Sequence, residues 1–559
     1  MKKTKILAVL LCIVMLLTAF SGCGGAAEPS EAPAEVASAS AEAPAEEAPA
    51  EAPTEEASDF TLPICEEKTT ISYWFEMSPM VAGYLDTMND NITYQHIEEL
   101  TNVHVDFWAV SDETAQNFNL MVASGDYADI MVWGSRYYAG GAIKAVEDEV
   151  FMELTDVIDQ YMPNYGEKIA DKDIYPQIVM SDGRIGEVFP INWGISVPGS
   201  GPIVRKDWLD DLGIDPTTIN TYDEYYDMLT RFKNEKGATQ ALYLGPNGVP
   251  SGNYLVAGYG IAGYCDPTSD SGPWYQDNGQ VKFGLTQPEF KDYLTMMNKW
   301  FNEGLISSDY VSHSDMQVGA GDVSDGSTGL WYHMSQIMSE HVAQSADPNF
   351  DSVAIADAVL TEDGKTHLGN YSDSRVGGQS LSISATCKNT EVVAKWVDFA
   401  FSEQGSMIYS YGVENETYTV DENGKATFTE LITNNEELGM ITACNLYAIQ
   451  VGVGYLDQDR FLPGYSPAAL EAGDIWLQSM DLDNLMIMPS AATLSSEDSQ
   501  LYSAAYSNIA TYAAENIAKF ITGTRPLDEF DAFVADIEAM DLATCQQCWQ
   551  NALDVYLAQ

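Results

Sequence analysis

The residues of this chain best suited to chemistry are aromatic and charged side chains standing just after short apolar runs. Trp74 and Glu76 end Ile71-Ser-Tyr-Trp-Phe-Glu76, and Trp133, Ser135 and Arg136 end Ile130-Met-Val-Trp-Gly-Ser-Arg136. Trp193 follows Phe189-Pro-Ile-Asn192, Trp274 lies in a Gly/Pro/Ser-rich stretch at 266–279, and Trp331 with Tyr332 ends a strand-like run that starts at Ser327. Arg375 lies shortly before the strand-like segment 381–384. A flat ring beside a guanidinium or carboxylate is a recognition device. The ring packs against C–H groups while the ion makes charge-assisted hydrogen bonds. With 11 tryptophans and 31 tyrosines in the chain, abundance selects nothing and position must. Trp133, Trp193 and Trp331 are the foremost candidates.

Covalent and metal chemistry find less support. Cys545-Gln-Gln-Cys548 has redox spacing but falls inside a helical run at 541–557, not at a helix start where a thiol pKa would drop. No nearby histidine or second cysteine pair completes a zinc site, and His96, His104, His313, His333, His341 and His367 include no HExxH. There is no G-x-S-x-G, phosphate loop or zincin pattern, so no catalytic residue, cofactor or metal is expected.

The elements that position the aromatic residues follow an α/β pattern. Strand-like 68–75, helix-like 91–100, strand-like 103–109, helix-like 114–124 and a buried strand ending at Trp133 give the alternation of a mostly parallel sheet covered by helices. Ligands of such sheets sit at the carboxyl ends of strands. Asp182-Gly183 predicts a hairpin, Thr221-x-x-Glu224 a capped helix, and Pro288 with Gly304 the ends of another helix. A single helix is expected over 390–411, then a hairpin closed at Asn423-Gly424 and a helical end from Tyr502, broken at 522–526.

The start of the chain sets its address. Lys2, Lys3 and Lys5 precede the apolar run Ile6–Phe20, a length that suits a secretory signal. Leu17-Thr-Ala-Phe-Ser-Gly-Cys23 resembles a bacterial lipobox, which implies cleavage before Cys23 and lipidation of it, with Phe20 departing from the usual Leu. Residues 24–65 are rich in Ala, Glu and Pro, with no Lys or Arg between Lys5 and Lys68, as expected of an extended disordered linker. The formal net charge is -59, a field that repels nucleic acid. Eight cysteines show no disulfide rhythm.

Several segments together resemble the extracellular solute-binding proteins of ABC importers, in particular the carbohydrate-type family 1 lipoproteins. They are Gly125-Asp-Tyr-Ala-Asp-Ile130, Arg205-Lys-Asp-Trp-Leu-Asp-Asp-Leu-Gly213, the 412–425 hairpin, Pro526-Leu-Asp-Glu-Phe-Asp-Ala-Phe-Val534 and Gln550-Asn-Ala-Leu-Asp554. The resemblance implies a hinged, two-lobed periplasmic-binding-protein-like fold of type II, each lobe a mostly parallel sheet flanked by helices. Lobe 1 is expected over 66–197 plus 380–455 and lobe 2 over 198–379 plus 456–559. It further implies a solute, an oligosaccharide, closed between the lobes, with Trp74, Glu76, Trp133, Ser135, Arg136, Trp193, Trp274, Trp331, Tyr332 and Arg375 as candidate contacts. The implied partners are that solute, an ABC permease and, through the lipid, the outer face of the cell membrane. A monomer is expected. Some members carry a calcium loop where this chain reads Asn234-Glu-Lys-Gly237, which lacks the carboxylate spacing for Ca²⁺. The alternatives are a secreted carbohydrate-active enzyme, whose acid–base pair could hide among 84 Asp and Glu, and a ligand-sensing lipoprotein.

Overall fold

The computed structural model describes residues 61–558 except 79–80, 173, 194–198, 250–253, 270–271, 314–322, 324, 346, 362–363, 368–374, 378, 436, 449–451, 483–485 and 490–491. The signal at 1–23 with Cys23, and the linker up to 60, lie outside the described residues.

The chain opens with β1 (Thr69–Glu76), α1 (Ile92–Thr101), β2 (Val103–Val110), α2 (Thr114–Ser124) and β3 (Ile130–Val132), followed by the single turn α3 (Gly134–Tyr137). Asn91 caps α1 by accepting from the amides of Thr93 and Tyr94. The further strands are β4 (Ile191–Trp193), β5 (Ser200–Arg205), β6 (Gln240–Leu242), β7 (Trp274–Asp277), β8 (Gln280–Phe283), β9 (Thr328–Met334), β10 (Ser352–Ala354), β11 (Leu381–Ile383), β12 (Tyr418–Val420), β13 (Ala426–Phe428) and β14 (Tyr455–Asp457).

Two four-stranded sheets organise the body. The first has the order β11-β3-β1-β2, with β1 parallel to β2 and β3, and β11 antiparallel to β3. The second has the order β10-β5-β9-β6. Here β5 is antiparallel to both neighbours and only β6 with β9 is parallel, so the mostly parallel pattern expected of both sheets holds in the first alone. Two strands of the second sheet, β6 and β10, are three residues long, and nothing in a run such as Gln240-Ala-Leu242 states its direction.

Each sheet is buried on both faces, and the two-residue period of a strand decides which core a side chain enters. Ile71, Tyr73 and Phe75 of β1 and Ile130 and Val132 of β3 join a core with Trp396 and Val397, while Trp74 and Met131 turn the other way onto Phe118, Met121 and Ile143. In the second sheet Val204, Leu330 and Tyr332 pack with Tyr225, Leu294 and Ile509, while Ile203 and Trp331 face Tyr243, Phe350 and Trp476. Each fully buried Ile, Leu or Phe contributes about 1.5–3 kcal/mol.

The segments that carry the family resemblance are fold-builders. Asp129 of the 125–130 turn accepts from the Ser72 amide at 2.8 Å and the Ser72 hydroxyl at 2.9 Å, which pins β3 beside β1. Arg205 is buried, forks onto Asp207 at 2.7 and 2.5 Å, and lies 4.6 Å from the ring centres of both Trp208 and Phe350.

Several local expectations are corrected. Asp182-Gly183 makes a turn closed by the Met180 amide on the Arg184 carbonyl at 2.8 Å, with no flanking strands, because the adjoining residues pair with 381 instead. The helix expected over 390–411 is two, Thr390–Phe399 and Glu403–Tyr411. Ser402 caps the second by accepting from the Gly405 amide and donates to the Phe399 carbonyl, which ends the first.

Candidate functional site

The chain passes between the two sheets after β4 and before β5, between Ala358 and Val376, and again after β14. A ribbon gathers at these crossings. β4 and β14 pair in parallel, Ile191 bridges Val376, and the Asn192 amide donates to the Arg375 carbonyl at 2.6 Å. Further along the same two segments, Val188 and Leu381 exchange amide bonds at 2.8 and 2.9 Å, and the Trp133 amide donates to the Ser380 carbonyl at 2.8 Å. An unbroken backbone hydrogen-bond path therefore links Trp133, at the end of β3, to Arg375, Trp193 and Tyr455.

Trp133 opens α3 at φ 54, a left-handed conformation that a bulky residue holds only when its surroundings enforce it. Its half-buried ring lies 5.1 Å from the Arg136 guanidinium, which is also 5.9 Å from the Tyr137 ring. The Tyr137 hydroxyl donates to the exposed Glu76 carboxylate at 2.9 Å. At the other end of the ribbon Trp193 is 37% exposed and 6.2 Å from Tyr455, centre to centre. The register pairs Trp193 with Asp457, so Trp193 and Tyr455 share a face. Lys168 lies 4.9 Å from the Tyr455 ring, and Arg375 donates to Asp171 at 3.0 Å. Accessible aromatic planes flanked by ions of both signs suit a ligand with C–H faces and a hydroxyl rim.

Glu76, Trp133 and Arg136 thus lie together at the end of the first sheet, and Trp193 and Arg375 along the ribbon. The other candidates do not. Trp74 is 3% exposed and meets Phe118 and Tyr137 edge-on at 5.2 and 5.8 Å, because it stands mid-strand on the helix-covered face. Trp331 and Tyr332 were expected at a strand end, but β9 continues to Met334 and carries them into opposite cores at 0% and 3% exposure. Trp274 begins β7 and is walled by Phe283, Tyr502 and Tyr506, its indole N–H donating to the Tyr502 hydroxyl at 2.9 Å. The Ser135 hydroxyl and amide are turned inward to the buried Glu187 carboxylate.

Tyr137, Lys168, Asp171, Glu187 and Tyr455 were missed. Tyr137 sits one residue beyond Arg136 and could have been read with it, but Tyr455 reaches Trp193 through a strand pairing that spans more than 250 residues.

Cys545 and Cys548 are buried in the helix Leu542–Leu557, and burial pushes their thiols up to about 12 and about 11, away from nucleophilic character. Residues 232–236 form one π-helical turn in which Lys233 donates to the Glu303 carbonyl and Lys236 pairs with Asp211 at 2.5 Å. Among the described residues no group of three His, Cys, Asp or Glu is placed to hold a metal. An open groove of about 780 Å³ lined by Leu501, Ala505, Tyr512 and Met540 belongs to the second sheet's helices alone. Among the described residues no helix is long and apolar enough to cross a membrane.

The chain is 22% identical over 380 residues to the fructooligosaccharide ABC transporter substrate-binding protein FusA of Streptococcus pneumoniae, covering 63% of this chain and 64% of that relative's length. Its fold matches the crystal structure of the alginate-binding protein AlgQ2 without calcium ion, with a TM-score of 0.71 and 21% identity over 88% of this chain and 99% of the other. It also matches an extracellular solute-binding protein from Bifidobacterium longum subsp. infantis, with a TM-score of 0.70 and 20% identity over 88% and 98% of the two chains. These likenesses show the two-lobed α/β fold. The family model for bacterial extracellular solute-binding proteins matches residues 87–407, more than half the chain, and the protein belongs to that family.

Proposed function

We propose that this protein is a receptor that captures an oligosaccharide between its lobes and delivers it, chemically unchanged, to an ABC importer. The observation that carries this reading is the aromatic ribbon from Trp133 to Tyr455 beside the chain crossings, a surface over which the second lobe would close. Relatives named for fructooligosaccharide and alginate support the ligand class. Glu76, Trp133, Arg136, Trp193 and Arg375 are the proposed contacts, with Tyr137 and Tyr455 beside them. The lobes are proposed to divide at approximately 66–197 plus 380–455 against 198–379 plus 456–559, with Arg375 and Val376 already on the first lobe's side. Contacts made only in the closed form shift the open–closed equilibrium, and micromolar affinity, about 8 kcal/mol, is ample for a shift of several kcal/mol. A leader cleaved before Cys23, a lipid on that residue and a monomeric body held outside the cell complete the proposal.

A thermal-shift screen with fructooligosaccharides, alginate and galacturonan oligomers and N-glycans tests it. A binding sugar at about 100 times its Kd stabilises the native state by about 2.7 kcal/mol, and chromatography should recover it intact. Recovery of shortened sugar would replace the receptor with an enzyme.

A further inference from the structure

We propose that Glu187 is the positioning residue that holds Trp133 in its ligand-facing pose, an inference that rests on the reading of Trp133 as a ligand platform. Trp133 sits at φ 54 and ψ 26 with no side-chain cap on the turn it opens, so something else must enforce the conformation. Among the described residues three constraints surround it. The Trp133 amide is tied to the Ser380 carbonyl at 2.8 Å. Gly134 is pressed into the first lobe so closely that a Cβ there would lie 2.6 Å from Phe151 and 2.9 Å from Ser382. The third is Glu187, whose carboxylate accepts the Ser380 hydroxyl at 2.8 Å and faces the hydroxyl and the amide of Ser135. One buried group therefore grips the residue that anchors Trp133 and the residue two positions beyond it. It closes a loop around the strained turn.

Glu187 is 6% exposed, and burying a carboxylate is costly unless its oxygens are filled. All the partners found for it are donors from the two sides of this turn. It does not reach the outer surface, so it acts on the solute only through Trp133. Removing it takes the acceptor from the Ser380 hydroxyl and the carboxylate from beside Ser135, and frees the turn to relax toward right-handed backbone, which swings the indole away from Arg136.

The test is ¹⁹F NMR of the full chain labelled with 5-fluorotryptophan, the Trp133 resonance being assigned by its loss in Trp133→Phe. Glu187→Leu should move or broaden that resonance while those of Trp208, Trp300 and Trp549 stay in place. Ser135→Ala, which removes one of the groups facing the carboxylate, should move it less, and Glu187→Gln should restore most of the wild-type position. A Trp133 line unmoved by Glu187→Leu, or a uniform shift of all tryptophan lines, would overturn the assignment. Should Glu187→Leu not fold, the Ser135→Ala line decides by the same criterion. A kestose titration adds the functional readout, in which Glu187→Leu weakens binding tenfold or more but produces no further loss on top of Trp133→Ala. Kestose binding unaffected by Trp133→Ala would refute the platform reading while leaving the resonance result to judge the positioning role.

Discussion

Asp357 offers a quantitative test of how the second lobe's core is built. Its side chain is fully buried, with one oxygen receiving the Ser479 hydroxyl at 3.3 Å and the other, Oδ1, without a hydrogen-bond partner among the described residues. The titratable neighbours are Tyr222, Tyr225 and Tyr332, themselves buried, and none supplies a positive charge. Burial pushes the Asp357 carboxyl from 3.8 up to about 8. The folded protein therefore keeps a proton that the unfolded chain releases, and stability falls as pH rises between these two values. At about 1.4 kcal/mol per pH unit the loss between pH 5 and pH 7 is about 2–3 kcal/mol. Asp357→Asn removes the titration while keeping the shape. Urea unfolding of the wild type and the variant at both pH values should then show Asn more stabilising at pH 7 than at pH 5 by that amount. The comparison between the two proteins cancels other raised carboxyls such as Asp398, which burial lifts to about 6. A stability difference between wild type and variant that does not change with pH would refute the reasoning, because it would mean Asp357 ionises in the fold as freely as in the open chain.

Other expectations follow from the same geometry. Trp193→Ala should weaken oligosaccharide binding about tenfold, about 1.4 kcal/mol, with an unchanged melting curve, since the ring is partly exposed. Trp331→Ala should do the reverse, costing about 3–5 kcal/mol of stability through the cavity left against Trp476 and Phe350 while calorimetric affinity at low temperature stays the same. Gly201→Ala would drive a methyl to 2.5 Å from the Trp476 ring and should cost about 1–3 kcal/mol in chemical denaturation. Cys23→Ala should move the protein from the membrane fraction to the culture medium on cell fractionation, and retention in the membrane fraction would remove the lipid anchor from the proposal.

Some of this protein could be read directly from its residues, because the signals were local. The strand–helix alternation from Thr69 to Val132, the cap at Thr221, the proline-to-glycine span of the helix Pro288–Asn302 and the Asn423-Gly424 turn depend on neighbours within a few positions. The resemblance was legible for a related reason: its motifs, such as Asp129 against Ser72 and Arg205 against Asp207, are the bonds that fix the fold. Tertiary structure alone decided which aromatic rings reach solvent. Trp133 and Trp331 look alike in the sequence, each at the close of an apolar run, yet β3 stops before the first and β9 runs on past the second. Strand length is set by pairing with distant segments, Ser200–Val204 for β9 and 381–383 for β3, and a one-residue change of phase exchanges core for surface. Trp193 and Tyr455 meet for the same reason, through a parallel pairing that no local pattern encodes.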